Sequence, residues 1–464
     1  MMTGKQYRES LADGRVIYFK GKRVDDVGTV PALRNTVEKV ARTYDRFHDP
    51  APGAVNPLVE TPRDRQAMSD RLPALQQTDK RLTATYMSYM VLLTAADRIA
   101  AAFPEGAARA RAYVQECRER DIRMVQCITD SKGDRTHGPA GQVDPDQYLR
   151  VIERRPDGVV IRGAKLHITG CALAHEMMVI PTKRMKAGEE DYAIACGVPV
   201  NAPGVKIVTV VPSQDPDADP RDQPLSQDQL SAEGFVIFDD VFVPHERIFL
   251  DGQVDESASF AHSLGLWERL GSMSHEVERA TQLVGLAQLI AEANGTHRIS
   301  HIRDKINDMA LHATMLKAGY KAAVADAKEG PDGAIRPDEL FTNATKIVGA
   351  SNWSLMVRHL HDIAGGSAAT VPSMADFDNP ETHDALEKYM SGAPGVSGEY
   401  RAQLFHLIRN LTADSFGGWA SVTTLQSGGG LYAQRLVMRK HFDIDEAKAE
   451  ALRLLPSPSA EVNA

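Results

Sequence analysis

The sequence predicts a mainly α protein with a central β-barrel domain and helices on either side of it. Three observations lead there. Apolar residues recur at helical spacing up to about residue 125, the pattern switches to period two between about 130 and 250, and helical spacing returns after about 255. The expected division is an N-terminal helical domain over 1–128, a β-barrel domain over 129–255 and a C-terminal helical bundle over 256–464. At 464 residues the chain is longer than one ordinary hydrophobic core, which also favours several domains.

In the first region, PALRNTVEKVARTYDRFHD places Leu33, Val37, Val40 and Tyr44 on one helical face. HDPAPGAVNPLVETPRD is too rich in proline for regular helix and reads as a surface connection. TATYMSYMVLLTAADRIAAAF supplies a longer, more apolar helix suited to burial, and AARARAYVQECRERDIRM a third, amphipathic one. In the middle region RRPDGVVIRG reads as a hairpin turning at Asp157-Gly158. EMMVIPTKRM, DYAIACGVPV, GVKIVTVVP and GFVIFDDVFVPHERIFL read as further strands. SQDPDADPRDQPLSQDQ has too little apolar content for a core and reads as an exposed loop. In the last region Leu283, Leu286, Ala287 and Ile290 share a helix face that Asn294-Gly295 closes. Ile302, Ile306, Met309, Ala313 and Leu316 repeat the logic, and two later helical runs are expected to end at Gly365-Gly366 and Gly417-Gly418. The result is an up-and-down bundle. This order of helices, barrel and bundle resembles the acyl-CoA dehydrogenase plan, in which a flavin lies between barrel and bundle.

Apolar residues are 43% of the chain and charged residues 25%, the balance of a soluble globular protein. With a net charge of -9 and no lysine- or arginine-rich stripe, nucleic acid is not an expected partner. No signal-like apolar region or membrane-length apolar run is present, so a cytoplasmic protein without a membrane partner is expected. Cys117, Cys127, Cys171 and Cys196 lie far apart without a CxxC pair or a histidine at ligand spacing. Reduced, buried thiols are expected, and no metal site.

Chemistry concentrates between Thr129 and Glu176. Lys132, Gly133, Asp134 and Arg135 form a polar turn with two cations and a flexible glycine, able to offer charge and backbone N–H groups to an anionic cofactor. VVIRGAKLHITG then reads as a strand pair with His167 and Thr169 on one face and Leu166 and Ile168 on the other, presenting a polar row to a ligand. The stretch reads as the floor of a flavin site.

TGKQYRESL, IYFKGKRV, TDSKGDR, GVVIRGAKLHITG, AHEMMVIPT, VIFDDVFVPHERIFL, LAQLIAEANG, ISHIRDKI, DIAGGSAATVPS and GGGLYAQR together resemble the 4-hydroxyphenylacetate 3-hydroxylase family over nearly the whole chain. That family joins two-component flavin monooxygenases with a sister branch, 4-hydroxybutyryl-CoA dehydratase. The resemblance implies that Lys132, Gly133, Asp134 and Arg135 line FAD and that Thr169 contacts its ring system. Gly428, Gly429, Gly430 and Leu431 match a second flavin-contacting segment, and Gly365 and Gly366 the place where a neighbouring subunit's cofactor approaches, which implies a homotetramer. His167 is a further candidate for touching cofactor or substrate, whereas His137 and His175 are expected to be structural or solvent-facing.

The chain departs from both branches. The dehydratase branch holds an iron-sulfur cluster on cysteines of the long N-terminal helix and on a histidine and a cysteine in the turn before the bundle. Here that helix has no cysteine, and the matching turn, LWERLGSMSHEVERA, offers Glu268 and His275 instead. No iron-sulfur cluster is expected. The hydroxylase branch binds and deprotonates a phenol with an arginine, a tyrosine and a histidine. Tyr86 keeps the tyrosine position; Leu82 takes the arginine position with Arg81 adjacent, and Gln126 takes the histidine position. Glutamine is not a base near neutral pH. His275 is a candidate general acid or base, against a ring simply satisfied by a backbone carbonyl. Trp267 is either a substrate wall or packing.

The resemblance implies a monooxygenase that takes FADH2 from a separate reductase and hydroxylates an aromatic or other electron-rich small molecule, with Tyr86, Gln126 and His275 about the reacting centre. Two alternatives stand beside it: a flavin-dependent dehydratase or isomerase of a CoA thioester without the cluster, and a flavin-binding scaffold that has lost catalysis.

Overall fold

A computed structural model describes residues 1–212, 218–229 and 232–455. The N-terminal segment holds α1 (Gly4–Ser10), β1 (Ile17–Phe19), β2 (Lys22–Val24), α2 (Pro31–Phe47), α3 (Arg65–Gln76), α4 (Lys80–Ile99) and α5 (Pro104–Glu119). The middle holds β3 (Met124–Cys127), β4 (Arg150–Arg155), β5 (Gly158–Lys165), β6 (Glu176–Val179), β7 (Ile194–Pro199), β8 (Val205–Val210), α6 (Pro224–Gln229), β9 (Glu233–Pro244) and β10 (Ile248–Asp251). The rest is helical: α7 (Ser257–Ala293), α8 (Ser300–Ala325), α9 (Glu339–Ala364), α10 (Ser367–Thr370), α11 (Met374–Asp378), α12 (His383–Met390), α13 (Gly398–Thr412), α14 (Ser415–Gln426), α15 (Leu431–His441) and α16 (Ile444–Leu452), with a small ribbon of β11 (Lys328–Glu329) and β12 (Ile335–Arg336).

The strands pair as two open sheets rather than the expected closed barrel. One sheet runs β2-β1-β8-β9-β5-β4 and the other β10-β7-β6-β3, each with two free edges. Val151, Ile161, Ile207 and Phe238 of the first and Val125, Met177, Val179 and Cys196 of the second share one core, so the sheets pack face to face. Leu33, Val37, Val40 and Tyr44 of α2 join that core as their spacing predicts. Residues 1–128 are therefore not helical throughout: β1 pairs in parallel with β8, and β3 in parallel with β6. A second core gathers α4 and α5 with Phe249 and with Trp267 of α7, and a third lies within the bundle.

Several local expectations change. The hairpin turns at Pro156-Asp157, because Arg155 pairs with Gly158. Part of the expected loop at 213–229 is α6; residues 213–217 lie outside the described residues. Gly417 and Gly418 sit inside α14, since Asp414 caps that helix by accepting from Phe416 N and ends the preceding one first. LWERLGSMSHEVERA is not a turn but the interior of α7, a helix of 37 residues, because Leu264, Leu266, Trp267, Leu270 and Met273 are all buried. The strand over VVIRGAKLHITG stops at Lys165.

Candidate functional site

α7 is buried on most of its circumference, yet one stripe is polar. Glu268, Ser272, His275 and Arg279 recur at four-three-four spacing and are half-buried, whereas Trp267, Leu270, Gly271, Met273 and Ser274 between them are buried. That stripe meets side chains of β3, α4 and α14 and the turn before α15. Gln126 Nε2 on β3 donates to Glu268 Oε1 at 2.8 Å. Ser272 Oγ meets Ser427 Oγ at 2.9 Å, and Arg269 Nε donates to Gly428 O at 2.9 Å. Lys80 Nζ and the Arg279 guanidinium lie over the Trp419 ring of α14, at 4.8 and 6.0 Å from its centroid. Thr169 Oγ1 donates to Glu233 Oε2 at 2.7 Å.

The stripe therefore has distinct ends. Around Trp419 it is cationic: burial, then Arg279 and Arg81, push Lys80 down to about 7, and burial with Arg279 and Lys80 pushes His275 down to about 3. His275 is thus a neutral imidazole near pH 7, and its ring makes no hydrogen bond among the described residues, so no backbone carbonyl satisfies it. At the other end burial raises the Glu268 carboxyl, opposed only by the hydrogen bond from Gln126. Tyr86 packs edge-on against Trp267 at 6.1 Å, under the Arg71 guanidinium, and burial raises its phenol strongly. Trp267 donates to Thr94 Oγ1 at 2.9 Å and is 1% exposed, which makes it core packing rather than a substrate wall. Leu82 and Arg81 are both buried, and Arg81 packs against Gly170, where an added Cβ would meet its Cδ at 2.4 Å.

The Lys132–Arg135 turn has the geometry of an anion nest. Lys132 and Gly133 take consecutive positive φ values of 70° and 45°. Lys132 N donates to Gln147 O and Asp134 N to Gln142 Oε1, while the Gly133 and Arg135 amides make no hydrogen bond among the described residues. The Lys132 and Arg135 side chains form no ion pair there either, and Asp134 is turned to Thr136 and His137. A side chain at Gly133 would bring a Cβ to 2.3 Å from Gln142 Oε1 and displace that amide, and the φ of 45° favours glycine there. Its root is fixed by Lys165, which pairs with Asp130 at 2.8 Å and donates to Ile128 O and Ile180 O, with both partners about 2% exposed. Two free amides and two unpaired cations fit a pyrophosphate, the anionic part of FAD.

Of the other candidates, His167 is exposed at φ 60°, outside the strand. The expected row of His167 and Thr169 along one strand face is broken, because Ile168 N and Gly170 N instead bond Gly234 O and Ala232 O. His137 is exposed beside Asp134, and His175 is fixed between Ser10 Oγ and Arg123 N. Gly428 and Gly429 have φ of 71° and 90°, Gly430 caps α15, and Leu431 begins it. A Cβ on Gly428 would meet Arg269 Cγ at 2.9 Å, which is how this turn comes to lie against α7 beside Glu268. Gly365, at φ 78°, and Gly366 face open space beyond α9. Sequence reasoning missed Arg279, Trp419, Lys80 and Glu233; the signal for Arg279 was the polar stripe at four-three-four spacing along α7.

Helices, two packed sheets and a helical bundle in this order define an acyl-CoA dehydrogenase-like fold. A glutaryl-coenzyme A dehydrogenase structure shares that fold at TM-score 0.52 and 14% identity, over 94% of this chain and 93% of its own. The chain belongs to the 4-hydroxyphenylacetate 3-hydroxylase family, whose N-terminal model matches residues 3–250 and whose C-terminal model matches residues 257–456. It is 29% identical to a 4-hydroxyphenylacetate 3-monooxygenase oxygenase component of Thermus thermophilus, over 89% of each chain. It is 27% identical to a 4-hydroxybutyryl-CoA dehydratase/vinylacetyl-CoA-Delta-isomerase of Clostridium aminobutyricum, over 97% of this chain and 98% of the relative. Among solved structures, the FAD complex of an oxygenase component of 4-hydroxyphenylacetate 3-monooxygenase aligns at TM-score 0.85 and 26% identity, covering 98% of both chains. An archaeal 4-hydroxybutyryl-CoA dehydratase from N. maritimus aligns at 0.86 and 26%, covering 99% of this chain and 97% of its own.

Proposed function

We propose that this protein is the oxygenase component of a two-component, FAD-dependent monooxygenase that hydroxylates a phenol-type aromatic, its FADH2 supplied by a separate reductase. The observation that carries the reading is the unspent anion nest at Lys132–Arg135, on a scaffold whose relatives include named oxygenase components. Reduced FAD supplies the electrons for oxygen activation. Lys132, Arg135 and the Gly133 and Arg135 amides would hold the pyrophosphate, and Thr169 and the Gly428–Leu431 turn would flank the ring system. Tyr86, Gln126 and His275 border the reacting centre, and the buried face of α7 with Trp267 excludes water. We also propose a homotetramer in which Gly365 and Gly366 receive a neighbour's cofactor.

The dehydratase reading is favoured by the near-complete coverage of the Clostridium relative. Against it, an iron-sulfur cluster needs soft thiolate ligands, and here α4 carries no cysteine while α7 offers Glu268 and His275 where the sister branch has a histidine and a cysteine.

The test is incubation with photoreduced FAD, 18O-labelled oxygen and a panel of phenols, with mass spectrometry of the products. One 18O atom per hydroxylated product is expected. No labelled product, together with anaerobic turnover of 4-hydroxybutyryl-CoA, would replace the monooxygenase by the dehydratase.

A further inference from the structure

We infer that Glu268, held in place by Gln126, is the base that removes the hydroxyl proton of the phenolic substrate. The inference rests on the monooxygenase reading and supplies what that reading lacks, since Gln126 itself has no basic atom. Gln126 points its amide N–H at Glu268 Oε1, leaving Glu268 Oε2 without a hydrogen bond among the described residues. The side chain projects from the half-buried stripe of α7, and the tight turn at Gly428 closes over it, a Cβ built there lying 3.6 Å from the Glu268 Cβ.

The charged groups on the surrounding elements are committed elsewhere. On α7, Arg269 bonds Gly428 O and Asn343 Oδ1, and His275 is neutral. On α9, Lys346 pairs with Glu276, and Glu339 with Arg98 and His441. On α4, Tyr86 is a phenol kept protonated by burial and Lys80 lies over Trp419, as Arg279 of α7 does, at the other end of the stripe; β3 presents the uncharged Gln126, and the turn before α15 presents glycines. Glu268 forms no ion pair among the described residues, so burial outweighs the opposing hydrogen bond from Gln126 and raises its basicity, which favours proton abstraction from a weak acid. In the step, the substrate O–H bond breaks, its electron pair stays on the phenolate oxygen, and the proton forms a new O–H bond at Glu268 Oε2. The electron-rich phenolate ring is then the species hydroxylated.

The test compares wild type, E268Q and E268D with two phenols at pH 7. The phenol group of 4-hydroxyphenylacetate is protonated there, and 4-nitrophenol, a much stronger acid, is already ionised in good part. For E268Q we expect a loss of at least about 100-fold in kcat/KM with the first, a loss of only a few-fold with the second, and unchanged FAD affinity. E268D is expected to restore part of the activity and to shift the acidic limb of the pH profile, a limb that E268Q lacks. Independently of turnover, 4-nitrophenol bound to the FAD-free protein is titrated by its visible absorbance. Removing a neighbouring carboxylate should lower its apparent pKa by about one unit in E268Q. Equal losses with both phenols, or an unchanged nitrophenol titration, would overturn the assignment while leaving the monooxygenase intact. Failure of wild type to hydroxylate any phenol would overturn both.

Discussion

Arg135 stands exposed with no ion pair, beside two amides that have no partner among the described residues. Its unspent charge is the most accessible handle on the flavin claim. Arg135→Ala should weaken FAD binding by about 1 to 3 kcal/mol through loss of a charge-assisted hydrogen bond, read by calorimetric titration; unchanged affinity would remove it from the site. His175 gives a pH-dependent counterpart. Its Nδ1 accepts from Arg123 N, so its Nε2 carries the hydrogen and donates to Ser10 Oγ, fixing a neutral ring that burial pushes down from 6.5 to about 3. The unfolded chain binds that proton first, so this contribution to stability is complete above pH 6.5 and is lost as pH falls toward 3. Urea unfolding at stepped pH should show a shallower acid slope in H175Q than in wild type. Roles such as these were not legible beforehand. A histidine looks alike in sequence whether it closes a core or faces a ligand, and only the partners at Ser10 and Arg123 distinguish the two.

At the scale of elements, periodicity carried far where packing agreed with it. The faces of α2 and of the 283–290 segment of α7 are buried as their spacing predicts. It failed where a local signal competed with a tertiary one. Gly417-Gly418 looks like a helix end, but Asp414 supplies the cap earlier and Ala420 anchors the following helix in the core. Asp414→Ala should therefore cost about 0.5 to 2 kcal/mol, measured as a shift in the denaturant midpoint. The same elements explain how α7 tolerates charge. Glu276 pairs with Lys346 of α9 at 2.6 Å, and Lys346 also donates to Thr424 O on α14. Lys346→Met leaves the buried carboxyl without its cation and should destabilise by about 3 to 5 kcal/mol. A smaller loss in equilibrium unfolding would mean that Glu276 simply takes up a proton.

At the scale of the molecule, the sequence led to the order of helices, strands and helices, but not to two open sheets in place of a barrel. Whether sheets close depends on which edge strands meet, and β2 and β4 carry no mark of that in their own residues. α15 and α16 leave Leu436, Phe442, Ile444 and Leu452 exposed, the kind of surface that oligomers cover. The proposed tetramer predicts that Leu436→Glu with Ile444→Glu lowers the mass seen by light scattering and weakens FAD binding together; a wild-type monomer would exclude it. No helix among the described residues is long and apolar enough to cross a membrane. The stripe on α7 also divides labour within one element. Glu268, Ser272, His275 and Arg279 lie half-buried on one face, while Trp267, Leu270 and Met273 are fully packed on another. One helix thus carries polar groups and core packing side by side, and the long run that the core holds rigid also fixes the spacing of those polar groups.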